Sequence, residues 1–147
     1  MAKGAKGLKT LIRLSKFNVD EKRRTLTALQ AREDQILDAI RRAEALLVHE
    51  QQAAAADPGG VGFAFPAFFK AWTAQREQLQ QSLSAVRGEI EVARDELAEA
   101  FREQKTYEVT KEQRDKRERE ELDRKEQAFL DEVGQNTHLR RKAEDEV

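Results

Sequence analysis

Few residues in this chain have side chains suited to chemistry, and their spacing argues against most of it. His49 and His138 lie far apart, and neither has a Cys or a second His at metal-ligand spacing, so no zinc site is expected. Asp and Glu number 28, against 27 Lys and Arg. On a charged surface without a concave pocket such carboxylates stay solvated, so no general acid and base pair is expected. Gly59-Gly60-Val61-Gly62 has no Lys-Ser/Thr after it and no strand before it, so it reads as a turn rather than a phosphate loop. No catalytic, cofactor-binding or metal-binding residue emerges, and the chain is not expected to be an enzyme.

What remains is binding. Residues 1–24 hold eight basic side chains and two acidic ones, a local charge of 8 − 2 = +6. Such a segment could meet phosphates or an anionic lipid surface, the latter through Leu8, Leu11, Ile12 and Leu14 beside the cations. Phe17 is its one aromatic residue, and the whole chain carries a net charge of −1. A protein docking surface is the favoured reading, and nucleic acid is not an expected partner.

The elements that must carry these residues follow from composition and breakers. Charged residues make up 37% of the 147, and mean hydropathy is −0.81. That leaves too little large apolar surface for a multilayer core and points to a coiled coil. With no cysteine there is no disulfide. No apolar run approaches the roughly 20 residues needed to span a bilayer. Met1 to Lys9 has no apolar core of a signal peptide, so a cytoplasmic location is expected.

Both prolines and three of the seven glycines fall between Asp57 and Pro66. A short break between two long periodic segments predicts an antiparallel hairpin. The expected fold is all-α, one elongated coiled-coil domain over 1–147. Helix 1 is predicted over about 8–56, a tip loop over 57–65, helix 2 over 66–133, and a frayed tail over 134–147. Gly4 and Gly7 weaken helix before Leu8, while Asn18 with Glu21 offers an alternative start. Pro66 suits the first turn of helix 2, and Gly134 with Asn136 marks its end.

In helix 1 the heptad a positions are Ile12, Val19, Leu26, Glu33, Ile40, Leu47 and Ala54. The d positions are Leu8, Ser15, Lys22, Leu29, Ile36, Ala43 and Glu50. In helix 2, a falls on Trp72, Leu79, Val86, Ala93, Ala100 and Tyr107, and d on Phe69, Arg76, Leu83, Ile90, Leu97 and Gln104. With the turn centred on Val61, Ile36 meets Val86, Ile40 meets Leu83, Ala43 meets Leu79, Glu33 meets Ile90 and Lys22 meets Ala100. Leu8 pairs near Arg114, and everything beyond overhangs as a lone helix. From Lys111 to Glu126 there are seven basic, seven acidic and one apolar residue, which suits a helix held by i,i+4 ion pairs.

Some apolar residues miss the seam. Phe101 falls at position b, although a four-residue stutter after Leu97 would draw it inward. Leu122, Phe129 and Val133 share one face of the overhang. Phe63, Phe65, Phe68, Phe69 and Trp72 cluster at the tip as a plug for the turn.

The segment Leu8-Lys-Thr-Leu-Ile-Arg-Leu-Ser-Lys-Phe-Asn-Val-Asp-Glu-Lys-Arg-Arg24 resembles the start of flagellar FliJ proteins. Ala100-Phe-Arg-Glu-Gln-Lys-Thr-Tyr107-Glu, followed by a charged run, is similar to their second helix. Ala53 to Phe69 lies outside the resemblance. The resemblance implies a cytoplasmic component of the flagellar type III export apparatus, at the cytoplasmic face of the inner membrane, needed for flagellum assembly, motility and chemotaxis. It implies an antiparallel coiled coil similar to rotary-ATPase stalks. It implies binding to the export ATPase hexamer and to the cytoplasmic domain of the export gate, coupling of ATP hydrolysis to export, and export chaperones as further partners. Membrane contact would be indirect, through the gate, and a monomer is expected rather than a dimer. Arg13, Lys16 and Arg24 are the expected polar contacts, with Leu122 and Phe129 as apolar ones and Phe101 as a further partner-binding residue. The alternative is a structural coiled-coil scaffold that self-associates or docks on an anionic surface.

Overall fold

The computed structural model describes residues 2–146, so Met1 and Val147 of the expected domain lie outside the described residues. Two helices account for almost all of it. α1 runs Ala2–Ala56 and α2 runs Val61–Asp145, and no strand occurs among the described residues. The helices pack against each other as an all-α hairpin. By packing, the chain divides into two compact units, one of Ser15–Arg102 and one of residues up to Leu14 with Glu103 onward.

The unit Ser15–Arg102 holds most of the buried seam. Ile40, Leu83 and Val86 form its core, with Leu29, Ile36, Leu37 and Leu79 packed against them. Ile36 with Val86 and Ile40 with Leu83 are pairs the register predicts. Each large apolar side chain buried here contributes roughly 1.5–3 kcal/mol. Every a and d position named for α1 is buried or half-buried; on α2 only Phe69 and Arg76 are exposed. Polar seam residues reach across to the flanks. Lys22 Nζ meets Glu96 Oε2 at 3.2 Å, and Glu33 Oε2 accepts from Arg87 Nε at 3.2 Å. Arg32 with Glu89 and Arg76 with Glu44 add cross-helix pairs at 3.6 and 3.3 Å.

The turn is shorter than the expected 57–65 loop. Asp57 N–H donates to Ala53 O at 3.1 Å and closes α1. Its Oδ1 accepts from Gly60 N–H at 3.2 Å, and its carbonyl accepts from Gly62 N–H at 2.9 Å. These bonds satisfy donors at the start of a helix, so α2 begins at Val61. Pro66 therefore sits inside α2 rather than in its first turn, and its missing N–H removes one helical bond. Gly62 is needed for closeness. A Cβ there would lie 3.0 Å from Ala54 O and 3.1 Å from Asp57 O.

The aromatic plug is only partly formed. Phe65, Phe69 and Trp72 stack in sequence along α2, with centroids 5.9 and 6.0 Å apart. Trp72 is buried and its Nε1–H donates to Ala43 O at 2.7 Å across the helix pair. Phe63 is 86% exposed and takes no part.

In the other unit, α1 starts at Ala2 rather than Leu8, and the alternative start at Asn18 is equally ruled out. Gly4 costs helix propensity, but the Arg114 guanidinium lies over it; a Cβ there would be 3.3 Å from Nη1. That contact falls one turn earlier than the predicted pairing of Leu8 with Arg114. Leu8 is buried. Lys111 is the last half-buried residue of α2, and every described residue from Glu112 onward is exposed. The overhang is thus present. It does not stop at Gly134: no residue adopts a left-handed backbone there, and α2 continues to Asp145, where Lys142 in the last turn suits the helix dipole. The expected tail over 134–147 is therefore helical through Asp145.

Candidate protein-docking surfaces

The six expected contact residues fall in two groups. Arg13, Leu122 and Phe129 belong to the unit that contains the overhang, and Lys16, Arg24 and Phe101 to the unit Ser15–Arg102. Arg13, Lys16 and Arg24 are exposed, and none makes an ion pair among the described residues. They lie on a helix whose apolar seam faces α2, so their charges point to solvent.

Phe101 stays off the seam. Ala100 is buried, Gln104, Tyr107, Glu108 and Lys111 follow as half-buried residues, and no stutter turns Phe101 fully inward. It is 41% exposed, with the Arg23 guanidinium 4.9 Å above its ring. Arg23 is a residue that sequence reasoning missed. Its signal was an arginine near the level of Phe101 on the predicted partner helix, which the register alone could have supplied.

On the overhang, Leu122 is 60% and Phe129 65% exposed. Leu130, Val133 and Leu139 are exposed as well. Leu130 and Leu139 were not anticipated, because neither falls on the face shared by Leu122, Phe129 and Val133. Around Leu122 one local ion pair forms, Lys125 Nζ to Glu121 Oε1 at 3.9 Å, while Arg119 and Arg124 reach the backbone carbonyls of Asp115 and Glu120. Such exposed pairs contribute about 0.3–0.5 kcal/mol each. These large apolar side chains are exposed on a helix rather than buried in a core.

The titratable groups offer one perturbed side chain. Tyr107 donates its hydroxyl to Glu103 Oε1 at 3.1 Å. That hydrogen bond, then the carboxylate's charge, hold the phenol above its ordinary value of 10.0. Among the described residues no cluster of three or more His, Cys, Asp or Glu could hold a metal. Among the described residues no helix is long and apolar enough to cross a membrane.

A hairpin of two long helices with a heptad seam belongs to the class of helical coiled-coil-like proteins. The family described as flagellar FliJ protein matches residues 5–143, and the chain belongs to that family. Membership gives it a role related to flagellar type III export, and the family is a non-catalytic component of that apparatus. No curated protein and no solved structure matches the chain.

Proposed function

We propose that the chain acts as a monomeric coupling element of the export apparatus, with the overhang and the start of α1 entering the export ATPase hexamer. Arg13, Lys16 and Arg24 make polar contacts there, and Leu122 and Phe129 make apolar ones, with Phe101 as a further contact. The cytoplasmic domain of the export gate is a second partner, export chaperones a third, and contact with the membrane runs through the gate. The chain works as one domain at the cytoplasmic face of the inner membrane and helps couple ATP hydrolysis to export.

The observation that carries this reading is the exposure of Leu122 and Phe129 on a helix of mixed charge that no described residue covers. Seven cations and seven anions over Lys111–Glu126 offer no single deep electrostatic minimum, which suits a shaft that turns or slides in a pore. The test is stimulation of the export ATPase by the full chain carrying Leu122→Asp and Phe129→Asp, and by a chain ending after Lys111. Both should lose stimulation while keeping the circular dichroism of a hairpin. Undiminished stimulation by both would refute the reading.

A further inference from the structure

The unit Ser15–Arg102 has an open groove beside its buried seam. A hollow of about 590 Å³ there has a floor of Thr25 and Leu29 from α1 and Ala85, Gly88, Val92 and Ala93 from α2. The floor is almost wholly apolar, and its α2 side is built from small residues. A Cβ on Gly88 would meet nothing within 4 Å, and Val92 is 57% exposed. Large apolar side chains from outside would fill space that this chain leaves open.

Charge borders this floor unevenly. Glu89 and Glu96 line the hollow and are held by Arg32 at 3.6 Å and by Lys22 at 3.2 Å. Glu21 stands one turn before Thr25, and Asp95 and Glu99 stand one and two turns beyond Val92. Those three carboxylates are exposed and make no ion pair among the described residues. Two cations against five anions leave the border at 2 − 5 = −3.

These features define an occupant. Two helices present no free backbone edge, so an extended strand would gain no ladder hydrogen bonds here. A helix brings its own backbone bonds and can lay one apolar ridge into the groove. Glu21 to Arg32 spans about 16 Å and Ala85 to Glu99 about 21 Å at ~1.5 Å per residue, which suits a helix of three to four turns. The negative border repels phosphates, which argues against nucleic acid and anionic lipid. It attracts a helix with Lys or Arg on both flanks of its ridge.

We propose that this groove is an interaction surface for a basic amphipathic helix of a partner protein. Gly88 admits the ridge, Leu29 and Val92 pack against it, and Glu21, Asp95 and Glu99 pair with its cations. So short a contact falls below the roughly 1,200–2,000 Å² of a stable interface, and binding is weak and reversible. The inference goes beyond the proposed role of the overhang and uses none of its residues.

The probe is a synthetic helical peptide of about 14 residues, with leucines along one face, lysines on both flanks and a fluorophore at one end. Its anisotropy should report saturable binding to the full chain. Gly88→Leu fills the groove and favours helix, and should weaken binding roughly tenfold or more. Asp95→Asn with Glu99→Gln should weaken it several-fold at low salt, and the difference should shrink at high salt. Both variants leave the cross-helix ion pairs in place, so circular dichroism should not change. The same peptide with glutamates for its lysines should bind far more weakly. The chain with Leu122→Asp and Phe129→Asp should bind the peptide as the unaltered chain does, so the groove and the overhang are tested separately. No saturable binding up to about 1 mM peptide would overturn the proposal. So would undiminished binding by Gly88→Leu, equal affinity for the glutamate peptide, or binding lost only with the overhang substitutions. A concentration-dependent dimer of the chain alone, abolished by Gly88→Leu, would make a second copy the occupant and overturn it as well.

Discussion

Replacing Glu33 by leucine should stabilise the unit Ser15–Arg102. Glu33 occupies a seam position, its side chain only 26% exposed, at the level of Ile90, itself 4% exposed. Its cross-helix partner, Arg87, is mostly exposed, so their pair at 3.2 Å is screened and contributes at most about 1 kcal/mol. A leucine buried to the same depth gains about 1–2 kcal/mol, three-quarters of the roughly 1.5–3 kcal/mol for full burial. The net gain is about 1 kcal/mol. For a unit of this size that raises Tm by about 4–8 °C. Urea titration followed by the fluorescence of the single tryptophan, Trp72, reads the same unit; the midpoint should rise with the slope unchanged. The opposite substitution, Arg87→Met, leaves a half-buried carboxylate without that partner and should cost about 1 kcal/mol. The two together should match Glu33→Leu alone. If Glu33→Leu lowers stability by 1 kcal/mol or more, the carboxylate is held by more than a screened pair, and the seam as described here is incorrect.

Three further outcomes follow from single contacts. Gly62→Ala forces a methyl against the backbone carbonyls of Ala54 and Asp57, which cannot swing aside, and should destabilise the chain by about 1–3 kcal/mol in thermal melts. Gly88→Ala meets open space within a helix and should stabilise by about 0.5–1 kcal/mol in the same assay. The lone tyrosine, Tyr107, should titrate above 10.0 by ultraviolet absorbance, and Glu103→Gln should bring it down. Because the phenol's value is raised in the folded chain, its contribution to stability is complete below pH 10 and is lost as pH rises through the folded value.

How far the sequence was readable depends on the length scale of each signal. The seam repeats every seven residues, so Val19, Ile40, Leu83, Val86 and Ile90 reinforce one another, and all are buried. Boundaries rest on single residues and were read less well. Pro66 drew the start of α2 five residues late, because the cap that starts it is the Asp57 carboxylate accepting from Gly60 N–H. Gly4 and Gly7 suggested a late start for α1, yet the helix is anchored from outside its own sequence by packing at Leu8 and by Arg114. Gly134 suggested a stop, but a glycine ends a helix only where the backbone turns left-handed, and here it does not. The candidate contacts left the weakest mark. Docking needs no titrating pair and no fixed spacing, so Leu122 and Phe129 stood out only by lacking a seam, whereas the register already placed Arg23 near the level of Phe101.

The central claim is that α2 folds back along α1 in register, since every exposed row is defined by what that pairing covers. The most direct measurement is the distance between spin labels at the exposed positions Arg32 and Glu89, whose side chains form an ion pair at 3.6 Å. Dilute full-length chain should give a single distance of about 10–20 Å, set by an interaxial separation near 8–10 Å plus label reach. A distance near 85 Å, the separation along one continuous helix at about 1.5 Å per residue, would contradict the account.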